Sequence, residues 1–465
     1  MKTRVTFTYL ILLVALLASL FVQPTNAQVT WTHLNAGGSV PSARQSSGAV
    51  YVKAPGDTYG AMYVFGGYGS GSRFNDMYKL TLRPGQEQWT RFTQQGLWPS
   101  PRTGFVMVYD SAGNRILGYG GDEGNNLRGD NWAFNLSTSR WWPIDTLLGY
   151  VAPPARVGGN TAYFSGTRKL YLFGGQGFRN PIGWYWHDTW QLDPSSGMWQ
   201  QLTPNGNYIP RQGGVAAIDE ANNRMIIFGG VLYQAGGLYY FNEAWKIGPL
   251  DQANMTIEQL FPSGSSPPAM RHSVAVYDST GNRMIIFSGQ DDGGSLHNEV
   301  WELQLAPGQE RWNTLSPGGQ IPPAMYLAAA VLDRPNRRMI VFGGNTGGGQ
   351  INDVYSLGPL WTAVEEPAHT PATIETRFIS AYPNPSQKTF VFEYQLARPT
   401  QIELRVYDIT GRLVRTLTDR VNHAGTARVI WDGNSDNGRT CPSGVYFYEL
   451  KADEKTFRGK IAITR

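Results

Sequence analysis

Five arginines, Arg44, Arg102, Arg156, Arg211 and Arg271, stand at the heads of repeated apolar stretches, and Tyr326 takes the sixth place. A guanidinium presents paired N–H donors that fit a carboxylate or an acidic sugar. Brought to one opening, such a set would make an anion site. An acidic residue also recurs, two positions before an aromatic: Asp76 and Tyr78, Asp130 and Trp132, Asp188 and Trp190, Glu243 and Trp245, Glu299 and Trp301, Asp353 and Tyr355. Acids and arginines repeated in step can equally pair with one another, which would leave no donor for a ligand. Both readings stand at this level.

Variable stretches lie between the repeats, at residues 68–73, 122–128, 177–186 and 231–240. The third and fourth carry Trp184, Tyr185, Trp186, Tyr233, Tyr239 and Tyr240. Rings on loops bury much area at low entropy cost and suit sugar stacking or protein contact; packing at repeat edges is the plain alternative. Catalytic chemistry is harder to find. The histidines at 33, 187, 272, 297, 369 and 423 include no pair at ligand spacing. No nucleophile elbow, P-loop or dinucleotide fingerprint occurs in its required context. Neither a catalytic set, a metal nor a cofactor is expected. Asp432, Asn434 and Asp436 alternate as in a calcium loop, but the twelfth position is Ser443 where a bidentate Glu is needed, so a turn is expected there.

The elements that must position these residues follow from an internal repeat. Apolar runs ending in a glycine pair recur at Gly66-Gly67, Gly120-Gly121, Gly174-Gly175, Gly229-Gly230 and Gly343-Gly344, with Ser288-Gly289 as the fifth. The period is 54 to 59 residues. In four units a turn opening with Asp joins the run to the strand before it, at Asp110, Asp219, Asp278 and Asp333; such residues cap hairpins and tolerate positive φ. Each of the first five units ends on a spaced apolar pair: Trp89 and Phe92, Trp141 and Ile144, Trp199 and Leu202, Ile257 and Leu260, Trp312 and Leu315. The missing sixth pair precedes the first unit, at Trp31 and Leu34. An N-terminal strand that completes the last unit closes a ring and removes open edges; residues 361–364 are the rival for that place.

These motifs resemble the kelch repeat, and the resemblance spans residues 30–365. It implies an all-β fold, a six-bladed kelch-type β-propeller, with loops at one face forming the ligand site. The kelch-like copper oxidases need a Tyr-Cys crosslink, and no cysteine lies in the repeats. Beyond a linker at 366–374, short alternating strands over residues 375–465 read as a small Ig-like β-sandwich. Tyr382-Pro383-Asn384-Pro385, Tyr407-Asp408 with Gly411-Arg412, Trp431-Asp432-Gly433 and Ser443-Gly444-Val445-Tyr446 make this tail similar to the FlgD-like Ig domain and to the sorting domains of type IX secretion cargo. That resemblance implies an outer-membrane secretion machinery as partner.

Composition agrees with export. Lys2 and Arg4, an apolar run from Leu10 to Phe21 and Thr25-Asn26-Ala27 form a signal peptide over residues 1–27, and the mature chain that follows, with its propeller at 28–365, has no span. Cys441 is the sole cysteine, so no intrachain disulfide forms. The basic excess sits in the tail, with 14 basic and 10 acidic residues from Ile374 onward, and gives no argument for nucleic acid. The resulting expectation is a secreted or cell-surface module that binds a glycan or protein, with no catalysis. The alternative is a sugar-acid mutarotase or epimerase, sialic-acid-like, which resembles six-bladed kelch enzymes; Glu123 or His272 would then serve as its acid–base group.

Overall fold

The second strand of each repeat is apolar on both faces, because it lies between neighbours on either side. Ala61–Phe65, Arg224–Phe228 and Arg338–Phe342 are buried at every residue. The outermost strands show the opposite pattern. Gln88–Arg91 buries only Trp89, and Met198–Leu202 buries only Trp199. This gradient from a buried middle to a half-wet rim is what radial sheets require.

The computed structural model describes residues 29–360 and 376–464, apart from 55, 112, 145–151, 165–166, 178–184, 195, 235, 253, 383, 387–388, 397–399, 422–424 and 453. The chain divides into two compact units between Ala363 and Val364. The signal peptide, the linker and the rival closing strand at 361–364 fall outside the described residues.

The first unit holds six antiparallel blades. Blade 1 runs Gly48–Val52, Ala61–Phe65, Met77–Thr81 and Gln88–Arg91; blade 2 runs Val106–Asp110, Arg115–Asp122, Leu127–Asn135 and Arg140–Pro143. Blade 3 is built from Asn160–Phe164, Lys169–Phe173, Thr189–Asp193 and Met198–Leu202, and blade 4 from Val215–Asp219, Arg224–Phe228, Ala244–Gly248 and Thr256–Leu260. Blade 5 has Val274–Asp278, Arg283–Asp291, Leu296–Gln304 and Arg311–Leu315. In blade 6, Ala329–Asp333, Arg338–Phe342 and Val354–Gly358 are completed by Thr30–Leu34, whose Trp31 stands opposite Leu357. The N-terminal strand therefore closes the ring.

An apolar cluster fills each junction. Met62, Val64 and Trp89 meet Val331, Ile340 and Phe342 between blades 1 and 6, and five further clusters join the remaining neighbours. The glycine pair follows from close approach. A Cβ at Gly66, whose φ is +66°, would lie 2.6 Å from the Arg102 carbonyl of the next blade. The neighbouring Gly67 N–H donates to that same carbonyl. Only glycine accepts both demands.

The second unit is a sandwich of seven strands. Arg377–Tyr382, Phe390–Leu396 and Gly425–Trp431 form one sheet; Leu413–Val421, Thr400–Tyr407, Gly444–Ala452 and Lys455–Ile463 form the other. Phe390, Phe392, Leu404, Trp431 and Leu450 lie in its core. Asp432 caps its own turn, accepting from the Asn434 backbone and side chain at 3.0 Å.

Candidate ligand-binding face

The loops after the second strands and the segments leading into the first strands emerge on one face, and this loop face carries every residue singled out above as a ligand candidate and described in the structure. Four of the five arginines are not available there. Arg44, Arg102, Arg156 and Arg211 are buried to 2% exposure or less. Each grips the acid of its own blade: Asp76 at 2.6 Å, Asp130 at 2.6 Å, Asp188 at 2.5 Å and Glu243 at 2.9 Å. In the first three, Nη1 also donates to the first glycine carbonyl of the pair, Gly66, Gly120 or Gly174. Nε donates to a carbonyl two residues back, Ser42, Ser100 or Pro154. In these three the donors are engaged within the blade; Arg211 keeps Nη1 without a partner, but the residue is fully buried, so none of the four presents a fork to the loop face. These four are corrected from ligand groups to internal fasteners.

The recurring acid–aromatic pair is part of the same device. Asp130, Asp188 and Glu243 accept the indole N–H of Trp132, Trp190 and Trp245 at 2.8, 2.6 and 3.0 Å. Burial alone would raise the Asp130 carboxyl, but the hydrogen bonds and charge of Arg102, with Trp132, hold it below the usual range.

Arg271 belongs elsewhere. The four fastening arginines hand their carbonyl to the second glycine of the preceding blade; in blades 5 and 6 the carbonyls in that place belong to Met270 and Met325. Arg271 and Tyr326 stand one residue further on, level with Gln45, Thr103, Val157 and Gln212. The spacing carried the signal: Arg102, Arg156 and Arg211 lie 18 residues before the glycine pair, whereas Arg271 and Tyr326 lie 17 before theirs. In place of a carboxylate, Arg271 meets the Gln290 amide oxygen, with Nη2 at 3.0 Å. Its Cζ lies 5.4 Å from the Tyr240 ring centroid. The acids that lost an arginine take histidines: His297 bonds Glu299 at 3.1 Å and Asp291 at 3.0 Å, and His33 bonds Asp353 at 2.9 Å.

Around Arg271 the aromatic loops converge. Val231–Gln234 and Gly237–Tyr240 pair as a hairpin rising from blade 4, which leaves Tyr239 52% exposed and Tyr233 half-buried. Burial raises the Tyr185 phenol above its ordinary range, while its hydrogen bond to the Tyr233 backbone and the Arg271 charge oppose the rise. Trp186 lies against the structural Arg156, 5.3 Å from Cζ. Trp184 falls outside the described residues. Tyr326 stacks on His272 at 6.2 Å.

Beneath this cluster lies a rim of backbone. Ser46, Gly104, Gly158, Gly213, His272 and Leu327, one per blade, all adopt φ between +55° and +68°. Their N–H groups pass from blade to blade: Ser46 to Leu327, Leu327 to His272, His272 to Gly213, Gly213 to Gly158 and Gly104 to Ser46, at 2.6 to 3.0 Å. His272 is built into this rim, its Nδ1 sealed from solvent and without a partner. Burial, with Arg271 beside it, pushes its ring down to about 3. Glu123 is engaged by Arg128 at 2.7 Å and by the Ser100 hydroxyl. Neither candidate acid–base group stands free.

A second set of arginines works on the opposite face, and only its Asp turns stood out in the sequence. Arg115, Arg224, Arg283 and Arg338 pair with Asp110, Asp219, Asp278 and Asp333 at 2.7 to 3.0 Å. Each then crosses a junction to a backbone carbonyl: Pro194, Leu305, Leu360 or Leu82. The spacing Asp-x4-Arg was present in the sequence.

Comparison with known proteins places this architecture. The KLHDC2/KLHL20/DRC7 Kelch-repeats domain matches residues 15–230, 166–306 and 215–392, and the FlgD Ig-like domain matches residues 382–456. The putative adagio-like protein 2 of Oryza sativa is 26% identical over 308 residues, 61% of this chain and 45% of that protein. Kelch domain-containing protein 2 of Bos taurus is 27% identical over 297 residues, 57% of this chain and 67% of that protein. The chain thus spans less than half the length of the adagio relative. The solved structure of YjhT superposes with a TM-score of 0.50 and 15% identity, over 68% of this chain and 95% of that one, a likeness of fold alone. Among the described residues no helix is long and apolar enough to cross a membrane.

Proposed function

This chain belongs to the kelch-repeat family, and from that premise we propose that it is an exported, non-catalytic binding module. Its ligand, a glycan or a protein, docks on the loop face over blades 3 to 6. The tail serves secretion or attachment at the bacterial cell surface. One observation carries the reading: Arg271 is the arginine of the repeated set whose donors meet a neutral amide, framed by Tyr185, Tyr233, Tyr240 and Tyr326. A guanidinium beside rings can add charge-assisted bonds to an oxygen-rich ligand without first breaking an ion pair.

The test uses the mature chain on glycan and peptide arrays, followed by titration of the best hit. Arg271→Ala lowers affinity at least tenfold, about 1.4 kcal/mol, with the unfolding midpoint unchanged. No binder on either array, or a hit indifferent to Arg271, overturns the reading. The sugar-acid mutarotase alternative lacks support from its acid–base candidates, since His272 is locked in the rim and Glu123 is ion-paired.

A further inference from the structure

The loops of blades 1 and 2 were singled out by their variability, yet the Arg271 centre makes no use of them. Between them, on the loop face, lies an open cavity of about 450 Å3 lined by Ser72, Arg73, Ser100, Pro101 and Glu123. Its charged groups are held in place by one another. Arg73 gives Nε to the Asp122 carbonyl at 3.0 Å and Nη2 to the Asp122 carboxylate at 3.2 Å. Glu123 accepts from Ser100 and from Arg128, whose side chain is 47% exposed.

We propose that this cavity is a second subsite, which takes a neutral saccharide. Three features select that class. Arg73 and Arg128 are balanced by Asp122 and Glu123, so the site offers no net charge to hold a free ion. Carboxylate oxygens and guanidinium N–H groups sit side by side in fixed positions. A sugar hydroxyl both donates and accepts, and a pair of adjacent hydroxyls meets both kinds of group at once. Pinned groups lose little freedom on binding, which favours affinity. Finally there is room and an apolar wall. A Cβ at Gly124 would lie 2.7 Å from Arg73 Nη1, so glycine keeps that nitrogen uncrowded. Pro101 lines the cavity and offers an apolar surface for the C–H side of a sugar.

The subsite is independent of what the Arg271 centre binds, and the experiment separates the two. Saturation-transfer NMR on the mature chain uses glucose, galactose, mannose and myo-inositol as neutral probes, with glucuronate as the charged comparator. At least one neutral probe gives transfer. Arg73→Ala weakens it tenfold or more, and so does Ser72→Trp, which fills the exposed lip without touching an ion pair. Arg271→Ala leaves it unchanged. Absence of transfer from every neutral probe, or binding that survives both Arg73→Ala and Ser72→Trp, overturns the subsite. Transfer abolished by Arg271→Ala alone also overturns it, and leaves the Arg271 reading standing.

Discussion

Blades 1 to 4 and blades 5 and 6 solve the same problem with different residues. In the first group a buried arginine fastens the start of the inner strand to the glycine pair and to the acid of the third strand. In the second, Met270 and Met325 fill that place with apolar bulk, and each orphaned acid recruits a histidine. Met packs well in irregular gaps and asks for no counter-ion. The exchange leaves Arg271 and Tyr326, one residue later, free to face the loops. The two groups thus differ by a single step along the chain, and blades 5 and 6, which gave up the fastener, present Arg271 and Tyr326 in its stead.

The difference can be broken most severely in blade 3. Arg156→Met copies the residue of blades 5 and 6 but leaves Asp188 without its partner. Removing one member of a buried pair costs about 3–5 kcal/mol, so the midpoint in urea falls by about 1 to 1.7 M for a slope of about 3 kcal/mol/M. Arg156→Met with Asp188→Asn recovers part of that loss, because no orphaned charge is left.

A smaller effect belongs to the rim. His272 holds a left-handed conformation at φ +57°, and its ring is pushed down to about 3 by burial. In the unfolded chain it takes a proton near pH 6.5, so the unfolded state binds more protons as pH falls. Stability is full above about pH 6.5 and declines below it, by about 1.4 kcal/mol per unit. His272→Asn tolerates the backbone and flattens the slope of unfolding free energy between about pH 6.5 and pH 5. An unchanged slope would show that His272 is not the buried neutral group.

The smallest effect sharpens the contrast. His33 and Asp353 form a pair with both side chains about a third exposed. His33→Ala therefore costs less than about 1 kcal/mol even though it lies on the strand that closes the ring. A large loss would mean that histidine fastens blade 6 as firmly as arginine fastens blade 3.

Much of this was legible in the residues. Five glycine pairs and Ser288-Gly289 at a steady period, and an outer-strand pair displaced to Trp31 and Leu34, state both the number of blades and the way the circle closes. Seven alternating strands give the sandwich. The site was less legible, for a physical reason. A guanidinium reads the same in sequence whether its donors meet a carboxylate inside the blade or a ligand outside it. A slip of one residue in a strand-like segment turns a side chain to the other side, and this is how Arg271 passed for an equivalent of the other four arginines. The 17-residue spacing recorded the slip. What could not be read was the convergence of Tyr185, Tyr233 and Tyr240 on Arg271, since it depends on where two loops from different blades meet.

The most direct measurement makes the same substitution on both sides of the comparison: denaturant unfolding of Arg156→Met and of Arg271→Met in the mature chain. A loss of about 3 kcal/mol or more for Arg156→Met, with Arg271→Met within about 0.5 kcal/mol of the parent, is the predicted result. Equal losses would place Arg271 among the fasteners and contradict the division between the two groups of blades.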